Sequence, residues 1–199
     1  MVESGYNDGM SVNTAFLTKP NVIYQQTFID GIKELQSQSR SIDFMEKDLD
    51  IARLSNEKDF AAYIQFLADE TTGLNLNPGR VAHTTYWLMA RNELSETVWL
   101  GRVDIRHRLN DYLEKIGGHI GYVIRPSFRR QGYGKQLLAL TLDKIRQGEP
   151  AIDTERALVT CDETNLASRK IIESNNGIYI NNIEQKSPLP AKMRFWLPL

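Results

Sequence analysis

His119-Ile120-Gly121-Tyr122-Val123-Ile124-Arg125-Pro126-Ser127-Phe128-Arg129-Arg130-Gln131-Gly132-Tyr133-Gly134-Lys135 is the stretch on which the reading of the fold turns. It starts as an apolar run of strand type, and Pro126 stops that run because proline cannot donate to a central ladder. It ends by opening a helix, Lys135 to Arg146, whose Leu137, Leu138, Thr141, Leu142 and Ile145 recur on one face. Between strand and helix lies a turn that presents backbone N–H groups in succession. Gly132 and Gly134 remove side chains that would block close approach or forbid positive φ. The helix N-terminus adds partial positive charge, while Arg129, Arg130 and Lys135 add full charges, so the turn reads as a cradle for a pyrophosphate. Taken alone, two glycines beside basic residues describe a solvated turn equally well. The turn lacks the Gly-x-x-x-x-Gly-Lys-Ser/Thr of a triphosphate loop and the third glycine of the dinucleotide fingerprint, so a different anion-binding family is required.

Working outward, the upstream chain reads as strands. Thr84 to Met89 and Val98 to Ile105 shift the apolar period from 3.6 toward 2 and form two antiparallel strands, and the loop Asn110 to Gly118 leads into the strand His119 to Ile124. Before them come helices. Ala15 to Thr18 is a short first strand, and Pro20 turns it into a helix from Val22 to Gln36 with Ile23, Phe28, Ile32 and Leu35 as its stripe. Residues 37–58 are polar, with Phe44, Met45, Leu49 and Ile51 as anchors of a short excursion. Asn56 caps a second helix that carries Phe60, Tyr63, Ile64, Leu67 and Ala68 and stops at Gly73. Downstream, a strand at Ala157 to Cys161, a helix at Asn165 to Glu173, and strands at Ile178 to Ile180 and Phe195 to Leu197 complete the chain. Helices first, then a strand meander, then a strand-helix-strand-helix unit predict an α/β sandwich with a mixed sheet.

The bulk composition narrows the function. Lysine plus arginine number 24 against 25 aspartate plus glutamate, so no global field marks a nucleic-acid binder. The single cysteine, Cys161, excludes an internal disulfide framework and a cysteine metal cluster and fits a reducing compartment, so the cytoplasm is expected. No apolar run long enough for a bilayer span is present, and no membrane association is expected. Residues 1–13 lack an apolar period and are expected to be disordered, leaving 14–199 as a single domain.

These motifs resemble the GNAT superfamily of N-acetyltransferases, whose signature Arg/Gln-x-x-Gly-x-Gly/Ala is matched by Arg129, Gly132 and Gly134. The resemblance runs from about Thr85 to Gly177. It includes Gly118 to Pro126 before the motif and Asn165-Leu166-Ala167-Ser168-Arg169-Lys170 after it. The chain looks most like a bacterial branch carrying a Tyr-Trp-Leu strand, here Tyr86-Trp87-Leu88, and an Ile-Arg-His-Arg-Leu-Asn segment, here Ile105 to Asn110. The resemblance implies a mixed, mostly antiparallel sheet flanked by helices, with two parallel strands splayed apart. It implies acetyl-CoA as cosubstrate without a metal. Backbone N–H groups from Arg130 through Gln131, Gly132, Tyr133 and Gly134 to Lys135 would hold the pyrophosphate. Tyr122, Val123 and Ile124 would pair with the pantetheine arm, and Asn165 and Ser168 would touch the arm or the phosphates.

For the chemistry, the resemblance implies direct attack by a primary amine of a small molecule or peptide. Many members place a tyrosine as general acid on the helix after the motif, where this chain has Ile172, with Tyr133 and Tyr179 as substitutes. His119 is the candidate base, since an imidazole has a suitable pKa, although a strand histidine often only satisfies a hydrogen bond. His107 and Asp104 have lesser claims. Tyr86, Trp87 and Trp99 line either an acceptor pocket or the core, and Cys161 reads as packing. A non-catalytic acyl-CoA-binding module of the same fold is the alternative, and a homodimer is left open.

Overall fold

A computed structural model describes residues 15–38 and 48–199 of the chain. The expectations for residues 1–13, Phe44 and Met45 lie outside the described residues. The element order is β1 (Phe16–Thr18), a 3-10 turn (Val22–Tyr24), α1 (Gln25–Gln36), α2 (Ile51–Leu54), α3 (Glu57–Thr72), β2 (His83–Arg91), β3 (Thr97–Arg106), a π-helical turn (Leu113–Gly117), β4 (Ile120–Ile124), a 3-10 turn (Pro126–Phe128), α4 (Tyr133–Arg146), β5 (Arg156–Asp162), α5 (Leu166–Glu173), β6 (Ile178–Ile183) and β7 (Lys192–Pro198).

Two antiparallel sheets form, one in the order β1-β2-β3-β4 and the other β5-β7-β6. They are flanked by helices, as the α/β reading requires. Among the described residues a single bridge, Gly118 to Val159, joins them, and beyond it β4 and β5 part without a ladder. The expected splay is therefore present, but every ladder among the described residues is antiparallel.

Alternation along β2 builds two cores. Tyr86, Leu88 and Ala90 face α4 with Val103, Ile105, Leu137 and Leu138, whereas Trp87 and Met89 face α1 and α3 with Phe28, Phe60 and Trp99. Phe28 stacks on Trp87 at 4.5 Å between ring centroids, a contact worth about 0.5–1.5 kcal/mol beyond burial. Asn56 accepts N–H bonds from Lys58 and Asp59 and so caps α3, contributing roughly 1 kcal/mol.

Two local expectations need correction. Ile23 is 74% exposed rather than part of the helical stripe, because it sits in the 3-10 turn, where three residues per turn throw it out of phase with α1. The loop from Asn110 contains a helical turn, started by Asn110, whose side chain accepts the Leu113 N–H at 3.0 Å. No helix among the described residues is long and apolar enough to cross a membrane.

Candidate coenzyme site at the sheet junction

After Ile124 the chain enters the Pro126–Phe128 turn, whose buried Phe128 meets Tyr133 edge-on at 6.1 Å. That contact fixes both ends of the intervening loop. Arg129 turns back, its Nε donating to the Ile124 carbonyl at 3.0 Å. Arg130 and Gly132 adopt left-handed conformations, with φ of 62° and 88°. Left-handed residues in such a turn aim neighbouring N–H groups to one side, the geometry of an anion nest. Gly132 is the N-cap of α4 and has no side chain to satisfy the first-turn amides, which helix geometry leaves without intrahelical acceptors. A Cβ at Gly132 would meet nothing within 4 Å, so the space beside this turn is open at that position. Gly134 serves another purpose: a Cβ there would lie 2.4 Å from Cδ1 of Ile171, so it lets α4 pack on α5. The sequence reading assigns Gly134 the removal of a side chain that would block close approach or forbid positive φ, and the contact with Ile171 adds a packing reason for a glycine there.

At the other end of β4 the two sheets are clasped. The His119 N–H donates to the Leu158 carbonyl at 2.7 Å, and the Leu158 N–H donates to His119 Nδ1 at 2.9 Å. With Nδ1 accepting, the neutral ring carries its proton on Nε2, which is buried 3.7 Å from an Asp153 carboxylate oxygen. Neither ring nitrogen then offers a lone pair to an amine. The expected base role of His119 does not suit this arrangement.

Burial, only partly offset by Asp153, holds the His119 pKa below its ordinary value. Between the folded value and the ordinary one the unfolded chain binds more protons, so stability rises with pH there. The clasp's contribution is complete above about pH 6.5 and is lost as pH falls through the folded value. Glutamine can offer Leu158 an oxygen without titrating. His119→Gln should therefore flatten the acid limb of a stability-versus-pH curve measured by denaturant unfolding. His107 is shifted in the same direction, so the difference between wild type and variant is the informative quantity. Superimposable curves would remove His119 from the titration.

Between the clasp and the loop, β4 pairs with β3 alone among the described residues. Across the opening stands α5. Tyr122 Oη lies 2.8 Å from Ser168 Oγ, and the Cys161 thiol also interacts with Ser168. Burial raises the Tyr122 phenol well above its ordinary value, and burial together with Asp162 pushes the Cys161 thiol up to about 11. All three groups are protonated near neutrality. Asn165 caps α5, its side-chain oxygen accepting the Ser168 N–H at 3.0 Å.

Residues 44–177 match the family model described as an acetyltransferase (GNAT) domain. The chain belongs to the GNAT acetyltransferase family. The match reaches well upstream of the strands that carried the resemblance, into α2 and α3. No curated protein sequence matches the chain. Among solved structures, RimL, a ribosomal L7/L12 α-N-protein acetyltransferase in complex with coenzyme A, is similar with a TM-score of 0.62 and 16% identity over 96% of this chain and 97% of that one. The microcin C7 self-immunity acetyltransferase MccE, in complex with acetyl-CoA and AMP, gives a TM-score of 0.59 and 13% identity over 94% and 93%. A Salmonella typhimurium acetyltransferase that modifies the N-terminal serine of ribosomal protein L7/L12 gives 0.59 and 15% over 94% and 96%. At such identities these likenesses speak for the fold.

In this GNAT chain the remaining candidates have the following surroundings. Ile172 is fully buried in the core under α5, so the position where many members carry a tyrosine is a packing position here. Tyr133 is buried against Phe128, and Tyr179 is exposed on β6 with its hydroxyl on Asn182. Asp104 is held by Arg102 at 2.9 Å and by the Thr85 hydroxyl at 2.7 Å; its pKa is lowered because these partners and His83 outweigh burial. His107 Nε2 lies 2.8 Å from the Thr84 hydroxyl. Trp87 and Trp99 are core, and Tyr86 faces the opposite core with its hydroxyl on the Glu149 carbonyl. Two features escaped the sequence: the Tyr122 hydroxyl on Ser168, and the carboxylate of Glu34 on the loop. Alternation along β4 put Tyr122 on the α4 side, but nothing local to it pointed to α5.

Proposed function

We propose that this chain transfers an acetyl group from acetyl-CoA to a primary amine of a peptide or small molecule by direct attack. One observation carries the reading: an anion nest at the start of α4 adjoins the edge of β4 that no described strand pairs with. An elongated ligand with phosphates at one end and an amide-bearing arm at the other fits both features, and the arm needs a strand edge to pair with. Backbone N–H groups from Arg130 to Lys135 hold the pyrophosphate, with Arg129, Arg130 and Lys135 supplying charge nearby. The edge of Tyr122, Val123 and Ile124 takes the arm, while Asn165 and Ser168 face it from α5.

Bound acetyl-CoA supplies the activated acyl group, so the protein's part is positioning and proton handling. The amine lone pair attacks the thioester carbon, and the C–S bond breaks. The leaving thiolate takes its proton from the Ser168 hydroxyl, which recovers one from Tyr122 and ultimately from water. The proton lost by the amine goes to water, because His119 has no lone pair free to receive it. A backbone N–H on β4 polarises the thioester oxygen.

The buried Ile172 favours a second reading, an acyl-CoA-binding module without transferase activity. Calorimetric titration with acetyl-CoA and with coenzyme A, followed by a thiol-release screen over amine classes, separates the two. Binding with thiol release on at least one class supports the transferase. Binding without release on any class favours the module, and no heat with either ligand overturns both.

A further inference from the structure

The loop that forms the anion nest is fastened to a helix far away in sequence. Glu34, near the end of α1, takes up Arg125 through Nε at 2.7 Å and Nη2 at 2.5 Å. Its other oxygen accepts the Ser127 backbone N–H at 3.2 Å. Just past α1, Gln38 accepts from Arg129 Nη1 at 2.7 Å. The same loop is braced internally by Arg129 on Ile124 and by Gln131 on the Ser127 carbonyl at 2.9 Å. Burial pushes the Glu34 carboxyl upward, yet the bonds from Arg125 and Ser127 outweigh it and leave the pKa below the usual range. Glu34 is therefore ionised near neutrality and bound to the loop at two successive points.

We propose that Glu34 is a positioning residue for the coenzyme. By holding Arg125 and Ser127 it keeps the segment leading into Gly132 in its anion-binding shape before any ligand arrives. The inference rests on the coenzyme reading above. Its logic is preorganisation: a loop that samples the binding shape only part of the time lowers apparent affinity by that fraction. Glu34 touches no reacting atom, so it acts on binding and leaves the rate of a saturated enzyme alone.

The test compares wild type, Glu34→Ala and Glu34→Asp by acetyl-CoA titration and by amide hydrogen exchange across residues 125–136, free and saturated. Glu34→Ala should weaken acetyl-CoA by about tenfold. It should speed exchange in the loop of the free protein while leaving the β2–β3 ladder unchanged, and saturating acetyl-CoA should restore protection. Glu34→Asp keeps the charge and both oxygens and should fall between the two. A merely structural role would speed exchange throughout the fold and leave the affinity of the folded fraction unaltered. If Glu34→Ala does not fold, Glu34→Asp against wild type carries the same comparison. Affinities equal within about twofold, or loop exchange unchanged in the free variant, overturn the proposal. Wild type that fails to bind acetyl-CoA overturns the coenzyme reading itself, a distinct outcome.

Discussion

Gly118→Val should cost about 4 kcal/mol or more, a large share of the roughly 5–15 kcal/mol that holds a domain of this size folded. Gly118 sits at the bridge between the two sheets with φ of 65° and ψ of −174°, a region kept almost wholly for glycine that costs another residue about 1–3 kcal/mol. A Cβ there would also lie 2.5 Å from the Leu158 carbonyl oxygen and 3.2 Å from Val159 Cα. Both obstacles are backbone, and they belong to the segment that His119 clasps, so neither can move without opening the junction. Denaturant unfolding measures the loss directly. A variant within about 1 kcal/mol of wild type would mean that the junction tolerates rearrangement and is no structural keystone.

Gly132→Asp should cost only about 1 kcal/mol of stability, from its positive φ, and weaken acetyl-CoA by about a hundredfold, some 2.7 kcal/mol. No atom lies within 4 Å of a Cβ at this position, so the core does not register the change. Aspartate tolerates positive φ better than most side chains. Its carboxylate, however, would stand at the mouth of the nest and repel a pyrophosphate where the α4 N-terminus should attract it. Calorimetry beside a thermal melt separates the two effects. Unchanged affinity in a folded variant would move the phosphate site elsewhere. The equivalent experiment at Gly134 would confuse them, since any side chain there collides with Ile171 and disturbs the packing of α4 on α5.

What could be read in advance follows the range over which each feature is encoded. α3 carries its own stripe and caps, α4 carries its own stripe, and the loop at Arg129 to Gly134 carries its glycines and charges within a few residues, so pattern alone locates them. Ile23 was misplaced because the phase of a stripe cannot be followed through a 3-10 turn. The helical turn after Asn110 leaves no periodic signal in the sequence because it is short and has a single buried residue, Leu113. β6 extends to Ile183, past the expected Ile180, because its pairing with β7 carries it on through the polar Asn181 and Asn182. The site's supports were illegible for a stronger reason. Glu34 reaches Arg125 across 91 residues, and Tyr122 reaches Ser168 across 46, so only the assembled fold brings those groups together. His119 shows the limit from the other side: its residue type suggests proton chemistry, but the Leu158 N–H decides which nitrogen keeps the proton.

The edge of β4 that no described strand pairs with bears on how the protein behaves toward its own copies. A strand with open N–H and C=O groups on one side is a template on which another molecule can add. On the proposed function the bound arm fills that edge, so the ligand also acts as a stopper against self-association. Light scattering of protein stripped of coenzyme should rise sooner and more steeply with concentration than that of protein kept loaded, and matching traces would show the edge to be shielded by other means. Handling losses during purification would then depend on coenzyme occupancy as much as on fold stability.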